Sequence, residues 1–423
     1  MISAWGPRAY KDDIFRSRIL GHNYLTFNTP AAIRHVLLQN SENYTRGRAS
    51  VRVLRPVLGN GLLLAEGREW KHQRRTLAPA FAPRAAGTWI PHIVAAADEA
   101  VAKLAKGSRD SIDLYASTRQ VMLGITGRAM FSLEMRLRGG QLADFVMEYT
   151  THLSRITLLD LLLPLGLPSP RDISRAAFRR RWMRFVRTLV TMRLEAGKSE
   201  GAPPRDLFDL MISARDPESG EPFSCDQLAD QVATMIVAGF DTTAGTLFWA
   251  LYLLALDTAT QEKVAVEARA VDYFDNFDGL KFTYAVIAET LRLYPPAFLL
   301  EREAAGADLI CGTPISRGDM IFISPWLLHR HEKLWDAPEA FLPNRFMPGS
   351  PELDRFVYLP FGAGPRSCIG AHFASVALIL TLAKFVGAFH IELVDRDPVV
   401  PIGGGVTIRP SRSPKFRLTL RGK

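Results

Sequence analysis

The chain has 423 residues, 48% hydrophobic and 22% charged, a globular composition with enough length for a large core. Its three cysteines, Cys225, Cys311 and Cys368, exclude a disulfide framework, and no C-x-x-C or His/Cys cluster has zinc spacing. The formal net charge of +9 favours an acidic protein partner. It does not favour nucleic acid, because the densest basic stretch, "RRRWMRFVRTLVTMR" (179–193), reads as one amphipathic helix. Phe178, Trp182, Phe185 and Leu189 form its apolar stripe, with arginines on the remaining surface.

The first residues, "MISAWGPRAYKDDIF", contain no apolar run. No signal peptide or membrane anchor is expected, and a reducing, cytoplasmic setting fits the cysteine usage. "YLTFN" (24–28) predicts a strand, and "TPAAIRHVLLQN" a helix begun by Pro30. Helical spacing continues over 68–81, 88–106, 116–131, 140–156 and 174–196. "LLDLLLPLGLPSP" (158–170) is apolar but broken by Pro164, Pro168 and Pro170, so it predicts a surface loop or lid. "GKSEGAPPRD" (197–206) is too short for an interdomain linker, and a single domain over 1–423 is expected.

Residues 226–256 predict the longest helix, roughly 46 Å. Its second half has the composition of a membrane span, but Asp241, Thr242 and Thr243 fall near its middle, where lipid penalises a carboxylate. A buried helix crossing a soluble core fits better. Helices over 258–271 and 282–293 follow, then strand-like "LIC" (309–311), "DMIFISP" (319–325) and "FRLTL" (416–420). The fold class is mainly α with small β sheets.

"FGAGPRSCIG" (361–370) encloses Cys368 between glycines and precedes the helical "GAHFASVALILTLAKF". Three chemistries compete. A dinucleotide turn fails, because Ser367 stands where the third glycine belongs and no acidic residue follows about twenty positions on. A nucleophilic cysteine has no local signature here. A haem thiolate fits the residues. The helix start stabilises a sulfur anion, small neighbours let N–H groups approach it, and Arg366 can reach a propionate.

Phe361, Gly364, Arg366, Cys368 and Gly370 match the cysteine-loop signature of the cytochrome P-450 haem-thiolate family at every fixed position. Other landmarks of that resemblance fall in order along nearly the whole chain. Glu289 and Arg292 in "AETLRLYPP", with Arg345 in "FLPNRF", resemble the family's structural ionic clamp. Trp70 and Arg74 in "EWKHQRR" resemble its Trp-x-x-x-Arg pair, expected to grip one propionate, and Arg302 stands where many members supply another propionate ligand. His72 is expected on the surface. "AGFDTT" (238–243) resembles the oxygen-activating motif. Ala238 and Gly239 would leave a thin helix face beside the haem, with Asp241 and Thr242 as the proton relay. Taken alone, a Thr-Thr pair is ordinary satisfied packing and a mid-helix Asp an ion-pair partner.

The resemblance implies haem b (iron protoporphyrin IX) ligated by Cys368. It implies dioxygen and separate electron donors, a ferredoxin and its reductase, as in the soluble bacterial type. The activity expected is insertion of one oxygen atom into an apolar substrate. Pocket candidates are residues 49–64, 158–168 and 402–406, with Phe240, Ala297, Phe298, Leu299 and Leu300. The alternative is a haem-thiolate enzyme without oxygen insertion: peroxide-driven, an isomerase or a dehydratase. A haem sensor would need no proton relay.

Overall fold

Ser224 opens the longest helix, Cys225–Leu256. The structure is a computed structural model that describes residues 5–19, 22–107, 110–131, 139–157, 159–160, 163, 166–195, 203–271, 279–395, 397–403 and 407–422. Ser224 Oγ accepts from the Gln227 N–H at 3.2 Å, and Gln227 Oε1 accepts from the Ser224 N–H at 2.9 Å. This reciprocal cap satisfies donors that the first turn would leave free. The helix is 32 residues long, about 48 Å. Helices Leu114–Phe131, Pro170–Glu195, Lys281–Leu293 and Ala371–Ala388 pack directly on it.

Cys225–Leu256 and Ala371–Ala388 are each long and apolar enough to cross a membrane. Here their apolar surface is spent on protein. Leu247, Phe248, Leu251 and Leu254 of the first, and Leu380, Leu382 and Phe385 of the second, are all buried in one helical core. Trp249 stacks flat on Tyr294, with centroids 4.0 Å apart, and so ties the long helix to the end of Lys281–Leu293.

A five-stranded sheet flanks this core in the order β1-β2-β8-β5-β3. Its strands are β1 (Ile14–Ile19), β2 (His22–Phe27), β3 (Tyr44–Arg46), β5 (Leu300–Ala304) and β8 (Met320–Ile323). Only the β2–β8 pairing is parallel. Leu25, Phe27, Ile321 and Ile323 fill a second core behind it. The remaining strands are minor. β4 (Ile112–Asp113), β12 (Lys415–Leu420) and β9 (Phe389–Leu393) make three, and β6 (Asp308–Ile310) pairs β7 (Thr313–Ile315). β10 (Pro401–Gly403) pairs β11 (Ile408–Pro410).

The expected helices are present with shifted ends. The pattern at 140–156 becomes Gly139–Glu148 followed by a widened turn, Tyr149–Leu153. Helix Arg48–Leu58 is absent from the sequence-based expectations, because Gly47 and Pro56 disguise it. The arginines of Pro170–Glu195 are not all at the surface, as expected from the stripe. Arg175 and Arg193 are buried and paired, Arg175 with Asp160 and Arg193 with Asp206 and Asp209. Parts of the segments 158–170, 197–206, 271–284 and 402–406 lie outside the described residues.

Candidate functional site

The three glycines around Cys368 have three different physical reasons. Gly362 and Gly364 both occupy the left-handed region, at φ 69° and 72°. At Gly364 a Cβ would also collide with the backbone carbonyl of Leu37. Gly370, at φ −87°, needs no special conformation. Its N–H points at the Cys368 sulfur. The loop closes through the Cys368 N–H, which donates to Phe361 O at 2.8 Å, and helix Ala371–Ala388 begins three residues after the sulfur. Cys368 is open to solvent on one side of its loop, yet desolvation by the surrounding protein raises the thiol's pKa, while the Gly370 N–H and the charge of Arg74 pull it back down. Alanine at position 364 is therefore expected to cost about 2–3 kcal/mol, from backbone strain and the collision together. Denaturant unfolding of the wild type and variant would measure it, and an unchanged midpoint would contradict the close approach.

Three guanidiniums gather beside this loop. β3 pairs with β5 so that Arg46 lies directly opposite Arg302. Like charges in that register repel. Arg366 adds a third. Its side chain donates to Ala65 O at 2.8 Å and to Glu66, and its guanidinium lies 4.5 Å from the centre of the Trp70 ring. Burial first, and then repulsion from Arg366, lowers the Arg302 pKa to about 10. Arg46 is lowered too, by burial and then by Arg302 and Arg366, and its Nε is buried without a partner. Glu66 is the one carboxylate acting on both Arg46 and Arg366 among the described residues. Sequence reasoning missed Arg46. No spacing marks it, and only the strand register places it.

Trp70 and Arg74, expected to grip one propionate, make different contacts within the protein. Trp70 supports Arg366, whereas Arg74 donates to Ser367 O at 2.8 Å, next to the sulfur. His72 is not a surface residue. It is mostly buried, bonded through Nδ1 to Asp216 at 2.8 Å and edge-on to Phe223.

The middle of the long helix opens on one side only. Ala238 is exposed and Gly239 and Thr242 are half-buried, while Phe240, Asp241 and Thr243 are buried. Successive residues rotate by 100°, so Ala238 and Thr242 share a face and Phe240 points away from it. Thr242 Oγ1 donates back to Ala238 O at 2.7 Å. Asp241 faces the interior, where it has partners. It accepts from Thr407 Oγ1 at 2.6 Å, with Arg119 at 3.6 Å and Arg409 at 3.7 Å. No spacing announced these partners, which come from distant parts of the chain.

Phe240 is therefore misplaced as a pocket residue. It is 1% exposed, with the Arg119 guanidinium 5.3 Å from its ring centre on the far side of the helix. Phe298 is buried as well, in the turn where its carbonyl accepts from Ser324 Oγ at 2.8 Å. Ala297 is exposed and Leu299 half-buried.

Glu289, Arg292 and Arg345 come together. Arg292 uses all five of its N–H donors: Nε and Nη2 on Glu289 at 2.7 and 2.8 Å, and the others on the carbonyls of His329, Pro338 and Ala340. Glu289 also accepts the Leu342 N–H at 2.8 Å and lies 3.5 Å from Arg345. His329 is fully buried beside them. Burial and the charge of Arg292 hold its pKa down to about 3, so its neutral Nε2 accepts the Leu359 N–H at 2.8 Å. That bond leads from the clamp to the segment that enters the cysteine loop.

The family model for cytochrome P450 matches residues 8–416. The chain belongs to the cytochrome P450 family. Its relatives include the protein LUTEIN DEFICIENT 5, chloroplastic, of Arabidopsis thaliana, 29% identical over 97% of this chain and 72% of that protein. Cytochrome P450 monooxygenase sphH of Aspergillus fumigatus is 30% identical over 97% and 81%. Cyclooctat-9-en-7-ol 5-monooxygenase of Streptomyces melanosporofaciens is 29% identical over 86% and 79%. P450 membership makes the chain an oxidoreductase whose cofactor is haem held through a cysteine thiolate. It also brings dioxygen, an organic substrate and a redox partner.

Proposed function

We propose that this P450 hydroxylates an apolar organic substrate, with Cys368 as the haem ligand. The carrying observation is the juxtaposition of Cys368, at a helix start with the Gly370 N–H and Arg74 directed to it, and the under-neutralised cluster of Arg46, Arg302 and Arg366. A porphyrin with one soft axial position and two carboxylates fits both halves of that arrangement. The orphaned Arg46 Nε and the repelling Arg46–Arg302 pair fit the propionates in particular. Bound haem supplies oxygen activation, with the thiolate favouring O–O cleavage.

The protein's own part is proton handling and exclusion of water. Thr242 holds a hydroxyl at the open turn, its lone pairs free while its proton rests on Ala238 O. Asp241 stands one residue behind, anchored by Thr407, Arg119 and Arg409. To pass a proton toward the open face it must release Thr407 and turn about its own side-chain bonds. The buried flank of Phe240, Thr243 and Ala244 keeps bulk water from that route. The electron donor we propose is a ferredoxin with its reductase, since the net charge of +9 favours an acidic carrier.

Thr242→Ala tests the relay. Reductant and oxygen use are expected to continue, while product per electron pair falls about 100-fold or more, the range of positioned proton transfer, and peroxide rises. Unchanged coupling would rule Thr242 out. Wild-type turnover without oxygen uptake would move the chain to the isomerase or dehydratase class.

A further inference from the structure

One carboxylate stands among the guanidiniums at the cysteine loop. Glu66 occupies the N-cap position of helix Gly67–Leu77, and its carbonyl accepts the Trp70 N–H at 3.2 Å. Its side chain makes no bond to the helix's own N–H groups. Instead Oε1 accepts the Arg46 N–H at 3.1 Å, and Oε2 pairs with Arg366. Glu66 therefore bridges β3 to the cysteine loop. Arg366 is held on three sides by one short segment: the Ala65 carbonyl, the Glu66 carboxylate and the Trp70 ring. Glu66 is the charged member of that seat.

Two other carboxylates flank Arg302 in β5, and strand alternation sends both to the opposite face. Glu301 acts on Arg302 at longer range, but it is engaged by the Ser50 hydroxyl and by the Ser50 N–H at 3.3 Å. Glu303 pairs with Arg48 at 3.0 Å. Among the described residues, Glu66 is the one carboxylate that acts on Arg46, Arg302 and Arg366 together. We propose that Glu66 is a positioning residue that sets the charge of the haem seat, holding Arg366 against Trp70 and standing as the third anion beside the two propionates. Guanidinium keeps its proton, so the anions alone decide the balance. Three guanidiniums with Glu66 and two propionates carry no net charge. Loss of the Glu66 charge leaves one positive charge in excess, which favours the reduced iron because it holds one more electron. The proposal rests on the haem-thiolate reading of Cys368 and deepens it.

Spectroelectrochemical titration of the haem-loaded wild type, Glu66→Gln and Glu66→Asp tests it. Glutamine keeps the shape and can still accept the Arg46 N–H, so the substitution removes chiefly the charge. The equilibrium is expected to move about threefold or more toward ferrous, ~28 mV for a one-electron couple that shifts about 59 mV per tenfold. Aspartate keeps the charge and should lie nearer to wild type than glutamine does. Haem transfer to an excess of a haem-scavenging protein should be no faster from Glu66→Gln than from wild type, because losing a competing carboxylate does not loosen the arginines' hold on propionates. A potential unmoved by glutamine, or moved as far by aspartate, would overturn the proposal. Faster haem loss from Glu66→Gln would overturn it too, and would leave Glu66 as a structural support. The carbon monoxide spectrum of the same samples reads the site itself. A wild type without the thiolate band would sink the haem-thiolate reading, whereas a wild-type band with an unmoved potential in Glu66→Gln would sink the role of Glu66 alone.

Discussion

Cys368→Ser is expected to abolish the red-shifted thiolate Soret band of the reduced carbon monoxide adduct, and turnover with it, while the chain stays folded. Desolvation by the surrounding protein raises the thiol's pKa although the side chain is exposed, so the local protein does not make a stable free thiolate. The Gly370 N–H and Arg74 favour the anion at the sulfur, and a bound haem iron would supply the charge that completes its deprotonation. A serine hydroxyl is a far weaker acid and a harder ligand, and the same two groups cannot ionise it. Loss of this ligand should cost more than the 10–100-fold typical of an outer-shell change, so a fall of more than about 100-fold is expected. The fold should survive because the loop is closed by backbone, Cys368 N–H to Phe361 O. Circular dichroism and the carbon monoxide difference spectrum, taken on one preparation, check both halves. An intact thiolate band in the serine variant would remove Cys368 from the site.

Arg292→Ala should be the most destabilising single change near the site, by about 3–5 kcal/mol, because it strands a fully buried Glu289 without its main counter-charge. Arg292→Lys should recover little of this. Lysine has three donors, and five acceptors converge here from Glu289, His329, Pro338 and Ala340. Glu289→Gln should be milder, since the amide keeps the shape and can still accept from Arg292 or Leu342. The expected order in denaturant unfolding is wild type, Glu289→Gln, then Arg292→Lys close to Arg292→Ala. A lysine variant as stable as wild type would show that charge alone matters and that the five-bond geometry does not. Haem retention should follow the same order, because His329 links this cluster to Leu359 at the entrance of the cysteine loop.

The sequence by itself determined the parts that are contiguous. The cysteine loop, the long helix over 226–256, the Glu289–Arg292 spacing and the apolar stripe through Phe178, Trp182, Phe185 and Leu189 were all legible. Each depends on interactions within one or two turns of backbone, where period, capping and turn chemistry leave a readable trace. Tertiary structure alone decided the rest. Arg46 reaches the site because β3 happens to lie against β5, more than 250 residues away along the chain. Gly364 is required partly by the Leu37 carbonyl, which arrives from the widened turn His35–Gln39, more than 320 residues earlier in the chain. Asp241 gains Arg119, Thr407 and Arg409 from separate elements, and Phe240 turns its back on the open face because helix rotation leaves it no other direction. Which guanidinium meets which carboxylate is set by strand register and by burial between remote segments, and neither leaves a mark at the residues concerned.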